Sequence, residues 1–181
     1  MRKLLCVLSL CLTVAGCSVN LAHNPLAPVD QPKSGELLVA QTAEGMSNRI
    51  GWGTFTAFAI PVARVTVNGK ADEALMQEIK AGLEHLGYSV RVVPDAAQAG
   101  GLPVLTCKVN RFKFRNYTWF FPLVFNWGKI DVTMSLASAG GQPEWTSQIV
   151  GKAKGFYSFE KTVSKALTKV LDQMNGQLAA R

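Results

Sequence analysis

The chain has 181 residues, 48% of them hydrophobic, with 19 lysines and arginines against 12 aspartates and glutamates. That is the length of one ordinary domain, enough to bury a core without disulfide or metal staples. A net charge of +7 gives no argument for nucleic acid as a partner, and two histidines leave little material for a metal centre.

At the N-terminus Arg2 and Lys3 precede an eleven-residue apolar stretch, Leu4 to Val14. A spanning helix needs about 20 such residues, so this stretch reads as the core of a secretory signal. Val14-Ala15-Gly16-Cys17 follows, placing small residues just before a cysteine. These four residues resemble the lipobox of bacterial lipoproteins. The resemblance implies a precursor in which residues 1–16 are a signal peptide and Cys17 becomes the lipidated first residue of the mature chain. Its thiol would carry diacylglycerol and its amine a further acyl chain such as palmitate. Several chains on one residue make a stable anchor, at about 0.8 kcal/mol per buried methylene. Ser18 in place of aspartate implies sorting to the outer membrane, with the domain facing the periplasm.

Cleavage would remove Arg2, Lys3, Cys6 and Cys11, leaving 165 residues and a charge of +5. Cys107 is then the only thiol besides the acylated one, so no disulfide is expected. Residues 17–34 read as the lipidated cysteine and a flexible tether, since 18–34 hold three prolines and no apolar period. Fully extended, that tether would reach about 55 Å. Residues 35–181 read as a single α+β domain.

Within the domain, Leu37-Leu38-Val39-Ala40 suits a strand, and Gly51-Trp52-Gly53 reads as a break. Residues 54–67 suit one or two strands bent at Pro61. Leu75, Met76, Ile79, Gly82, Leu83 and Leu86 repeat at helical spacing, with Asp72 and Glu73 in the first turn and Gly87 as the C-terminal cap. Tyr88 to Val93 resumes as a strand. From Val104 to Arg115 the alternation Leu105, Cys107, Val109 changes phase to Phe112 and Phe114, which predicts a bulge. Lys129 to Ala137 alternates cleanly, Ala139-Gly140-Gly141-Gln142 suits a hairpin turn, and Trp145 to Ala153 pairs back. A closing helix is capped by Ser158 and buries Phe159, Val163, Leu167, Val170, Leu171, Met174 and Leu178. The expected fold is a mostly antiparallel sheet with two helices packed on one face.

No catalytic constellation is apparent. His23 lies in the tether and His85 at a helix C-terminus, neither beside a partner at ligand spacing. Cys107 alternates with apolar neighbours and reads as a buried thiol. No catalytic residue, metal site or cofactor is expected. Two features stand apart. One is the stretch 117–127, YTWFFPLVFNW, which reads as an uncharged loop around Thr118 and Pro122 carrying six aromatics: Tyr117, Trp119, Phe120, Phe121, Phe125 and Trp127. Loops are ordinarily polar, so this one needs burial against the domain, a partner or the membrane interface. The other is the series Lys152, Lys154, Lys161, Lys165 and Lys169, of which the last three form a like-charged ridge, read as a solvated face.

The signal segment, the run Ala74-Leu75 through Leu86-Gly87-Tyr88-Ser89-Val90, the meander ending at Trp145 and the closing helix together resemble the YajG-type small periplasmic α/β lipoproteins. More distantly they resemble lipoprotein activators of cell-wall synthases and the curli-export lipoprotein. The resemblance spans most of residues 60–178, and the aromatic stretch departs from it. It implies a non-enzymatic envelope accessory that holds the membrane through Cys17. Its partner would be an envelope protein or an anionic envelope polymer, met through Tyr117 to Trp127. The alternative is a small-ligand or lipid-binding auxiliary of an envelope transport system, with the same aromatics lining an apolar groove.

Overall fold

A computed structural model describes residues 16–30, 32–33, 37–41, 43–55, 60–120 and 123–181. The signal segment before Gly16 lies outside these described residues, and with it the expected cleavage region. The strands are β1 (Gly16–Val19), β2 (Leu37–Gln41), β3 (Arg49–Phe55), β4 (Ile60–Val67), β5 (Ser89–Val93), β6 (Val104–Phe120), β7 (Leu123–Ala137) and β8 (Pro143–Phe156). Helix α1 covers Ala71–His85 and α2 covers Phe159–Ala179, with a short 3₁₀ turn at Ala96–Ala99.

Both helices form where the apolar spacing places them. Asp72 and Glu73 occupy the first turn of α1, and Gly87 adopts φ 104° beyond its end, where a side chain would be strained. Ser158 caps α2, its Oγ accepting from the Lys161 N–H at 3.1 Å. The two helices share one core with the inner face of the sheet, built on Leu75, Ile79, Leu83, Ile130, Met134, Val163, Leu167 and Leu171. Helix α2 lies over β7 and β8, and α1 over β2 and β5.

The eight strands form one mixed sheet, not the mostly antiparallel one expected from the hairpins. Strands β6, β7 and β8 are antiparallel neighbours, as read. The other edge of β6 carries parallel partners, β2 near its start and β3 near its end. Between them Glu44 bridges to Lys108 in the same sense. Strand β2, Glu44 and β3 therefore follow β6 in turn along the same edge. Strand β5 adds to β2, and β4 then β1 add to β3. Non-local parallel pairing leaves no turn signal in the sequence, so the local pattern shows only the antiparallel hairpins.

Gly51-Trp52-Gly53 lies inside β3 and is not a break. A Cβ on Gly51 would stand 2.6 Å from the Phe114 carbonyl oxygen, so glycine there serves close strand approach. The phase change in β6 is a bulge between Val109 and Arg111, as read. The aromatic stretch differs most from expectation. It is no loop, because β6 runs on to Phe120 and β7 starts at Leu123, pairing Asn116 with Asn126 and Tyr117 with Phe125.

The expected tether is also revised. Residues 18–30 lie along the domain. Val19 and Leu21 are buried, the His23 N–H donates to Glu78 of α1, and the Asn24 and Ala27 N–H groups donate to Thr168 and Asp172 of α2. The residues that looked too polar to pack use their backbone and their few apolar side chains to follow the helices.

Candidate functional site

Register sorts the side chains of the long strands onto two faces. The face toward the helices takes Phe112, Phe114, Ile130, Val132, Met134 and Ile149, all buried. On the opposite face no helix packs among the described residues, and its composition is unlike a solvated surface. Counting back from the β6–β7 turn, the first row joins Tyr117, Phe125 and Phe156. The second joins Trp52, Arg115, Trp127 and Lys154, with Arg64 beyond Trp52. The third joins Lys113, Lys129 and Lys152, and the fourth centres on Asp131.

The aromatic rings form a connected set. Tyr117 lies 5.5 Å from Trp127, Phe125 5.4 Å from Trp127, and Phe125 5.2 Å from Phe156, centroid to centroid. Such contacts stiffen the surface they make, at about 0.5–1.5 kcal/mol each. They do not bury it. Phe156 and Tyr157 are 62% and 66% exposed, and Trp52 is 37% exposed. These three exposed large hydrophobics all lie at the same end of the sheet. The guanidinium of Arg49 lies 4.7 Å from the centre of the Trp52 ring, and that of Arg64 5.7 Å from it.

The cations of this face are short of counter-charge. From Asp131 to the turn, β3, β4, β6, β7 and β8 contain no other carboxylate. Asp131 itself is committed: it accepts from Gln148, Lys129 and Asn110, at 2.8, 2.9 and 3.2 Å. The Gln148 bond, then the Lys129 bond, hold its carboxyl down at about 2. Among the described residues, Arg49, Arg64, Arg111, Lys113, Arg115, Lys152 and Lys154 have no carboxylate within ion-pair distance. Like charges on neighbouring strands repel, so the face has electrostatic free energy that an anion would relieve. An open groove of about 1460 Å³ adjoins this end of the sheet; its lining joins Trp52, Lys113, Arg115, Trp127 and Lys152 to Phe114 of the core side and to Lys165, Thr168 and Lys169 of α2.

The structure thus brings Tyr117, Phe125 and Trp127 together on one surface. Trp119 and Phe120 belong to β6, but their side chains, and Phe121 altogether, lie outside the described residues. Phe156, Tyr157, Trp52, Arg64 and Arg115 join the site without having been singled out. Their signal was available only through strand pairing, since Trp52 and Arg115 stand 63 residues apart and meet in register. Of the lysine series, Lys152 and Lys154 lie in the rows of this face, and Lys169 of α2 reaches β8, its ammonium donating to the Lys152 carbonyl at 3.0 Å.

The other candidates behave structurally. Cys107 is 2% exposed and burial pushes its thiol up to about 12, so it is a core residue and no nucleophile. His85 meets the Ala27 carbonyl. His23 lies 2.6 Å from Glu78, a pairing that the sequence separation concealed. No helix among the described residues is long and apolar enough to cross a membrane. Cys17, the expected lipid site, lies in β1 opposite Val65 of β4.

No family model matches the chain, and no curated protein matches it. Solved structures do. A Xanthomonas campestris protein, XCC0632 of family DUF330, is similar with 17% identity and TM-score 0.53, over 92% of this chain and 93% of the other. An uncharacterized protein is similar with 14% identity and TM-score 0.51, over 92% and 98%. A minor lipoprotein of Acinetobacter baumannii aligns at 12% identity and TM-score 0.37, over 86% and 91%, and adds nothing to the fold assignment. At these identities the shared property is the architecture: a mixed sheet covered on one face by two helices.

Proposed function

We propose that this chain is a lipid-anchored, non-enzymatic binding module of the bacterial envelope that engages an anionic partner with the uncovered face of its sheet. One observation carries the reading: a helix-free face that joins exposed aromatics to a field of arginines and lysines without carboxylates. Large exposed apolar patches on single chains mark interaction sites, and unpartnered cations select an anion. The lipobox-like residues through Cys17 supply the anchor, and Ser18 favours the outer membrane and a periplasmic domain. The resemblance to small envelope lipoproteins supports the same setting. The alternative of an apolar ligand pocket is less well supported, since Trp127 sits in an open groove among charged side chains.

Two measurements test the reading. Metabolic labelling with palmitate should mark the wild type and not Cys17→Ser; equal labelling removes the anchor. A photoreactive residue at position 127 should form adducts in cells, whereas one at Gln142, in the β7–β8 turn, should not. Adducts at 127 should fall when Lys113, Lys152 and Lys154 are changed to glutamine. Equal yields from 127 and 142 would remove the binding face.

A further inference from the structure

We infer that the occupant of this face is the anionic lipid leaflet that holds the Cys17 anchor, and that the domain lies face-down on it. The inference rests on the lipid-anchor reading above and names the partner of the same site.

The first argument is the path of the chain. Strand β1 is the sheet edge beyond β4, and Cys17 is in register with Val65. Val65 is opposite Gly51, and Gly51 is opposite Phe114. Gly16, one residue earlier, is level with Arg64, Trp52 and Arg115. The acylated residue therefore enters at the β1 edge of the sheet, level with the second and third rows, and not at the far end of the sheet. Its amino side points toward the β6–β7 turn, because β1 runs parallel to β4 and β4 antiparallel to β3.

The second argument is the absence of slack. An extended tether would let the domain stand away from the membrane and leave its orientation free. Here the chain is fixed almost at once. Val19 and Leu21 are buried, and residues 23–27 are hydrogen-bonded to α1 and α2 on the opposite side of the molecule. Only Ser18 separates Cys17 from buried Val19, a reach of about 7 Å. Whatever surface surrounds Cys17 must then lie against the bilayer.

That surface has the composition an interface requires. Aromatic side chains with a polar edge settle at headgroup level, and cations just behind them meet anionic headgroups. Tyr117, Trp127, Tyr157 and Phe156 supply the first, and Arg64, Arg115, Lys113, Lys152 and Lys154 the second. The helical side, which carries charges of both signs, Asp72, Glu73 and Glu84 on α1 and Lys161, Lys165 and Lys169 on α2, is turned to the solvent. A soluble anionic polymer would account for the cations but would not use the exposed phenyl and phenol rings at the anchor's own end of the sheet.

The test uses the acylated chain in vesicles of phosphatidylethanolamine and phosphatidylglycerol, with an environment-sensitive fluorophore on a cysteine introduced at one position at a time. The positions are Phe156 on the face, Gln142 at the far turn and Gln77 on α1, all exposed. Lipids brominated along their acyl chains should quench the probe at 156 several-fold more than those at 77 or 142. Replacing the anionic lipid with phosphatidylcholine, or Lys113, Lys152 and Lys154 with glutamine, should erase most of that difference. Equal quenching at the three positions, in protein that still floats with the vesicles, overturns the face-down arrangement and leaves the anchor intact. Protein that does not float overturns the anchor reading and this inference together. A probe at 156 shielded only on adding a periplasmic protein assigns the face to that protein and overturns the inference.

Discussion

Tyr157 shows how a single residue can be set by surface and not by stability. It has φ 66°, a left-handed conformation that costs a side-chain-bearing residue roughly 1–2 kcal/mol. Its ring is 66% exposed and lies 6.3 Å from that of Phe156. Glycine would fit this turn between β8 and α2 with less strain. Tyr157→Gly is therefore expected to leave the thermal midpoint unchanged or raise it by about 2 °C, since relief of strain exceeds the backbone entropy glycine adds. Vesicle association of the same variant should weaken. A lowered midpoint in calorimetry would instead make Tyr157 a packing residue. Neither the strain nor the exposure was legible in the sequence, where Gly155-Phe156-Tyr157-Ser158 reads as an ordinary approach to a capped helix. Cys107 was legible, because strict alternation with Leu105 and Val109 leaves a thiol no way out of the core.

Among the elements, both helices were legible from their apolar stripes and caps, and each begins and ends within about a residue or two of the expected positions, the uncertainty usual for helix ends. The long hairpin was not. Residues 117–127 carry no charge and two strand-forming runs, yet they sit where an alternating pattern stops, so the expectation was a loop. What extends β6 and β7 is their pairing with each other and with β3 and β8, which satisfies backbone groups that a loop would leave to water. Aromatic and β-branched residues suit that pleated surface. Packing of α2 on the meander is equally specific. A Cβ on Gly151 would stand 2.0 Å from the Ala166 carbonyl oxygen. Gly151→Ala must push the helix off β8 at a cost of about 1–3 kcal/mol. That should lower the thermal midpoint by roughly 2–10 °C for a chain of this size. A midpoint within error of wild type would mean that α2 has room to move.

At the scale of the whole molecule, the N-terminal segment ties the edge strand β1 to both helices. His23 and Glu78 are both half-buried, and Glu78 accepts from the His23 backbone as well as meeting its ring. Removing the carboxylate in Glu78→Ala should weaken docking of residues 20–30 by about 1–2 kcal/mol. The expected readout is faster thermolysin cleavage within that segment, with the thermal midpoint of the core nearly unchanged. Unaltered cleavage would show that Leu21 and the backbone bonds to α2 hold the segment alone. The sequence by itself determined the two amphipathic helices, the bulge in β6 and the half-buried meander. These follow from local periodicity and from short motifs whose members are neighbours in the chain. Only the tertiary structure decided that the sheet is mixed, that residues 18–30 are docked, and that Trp52, Arg115, Trp127 and Lys154 form one row. Those properties depend on pairing between segments tens of residues apart, and non-local hydrogen bonding leaves no periodic trace in any one segment.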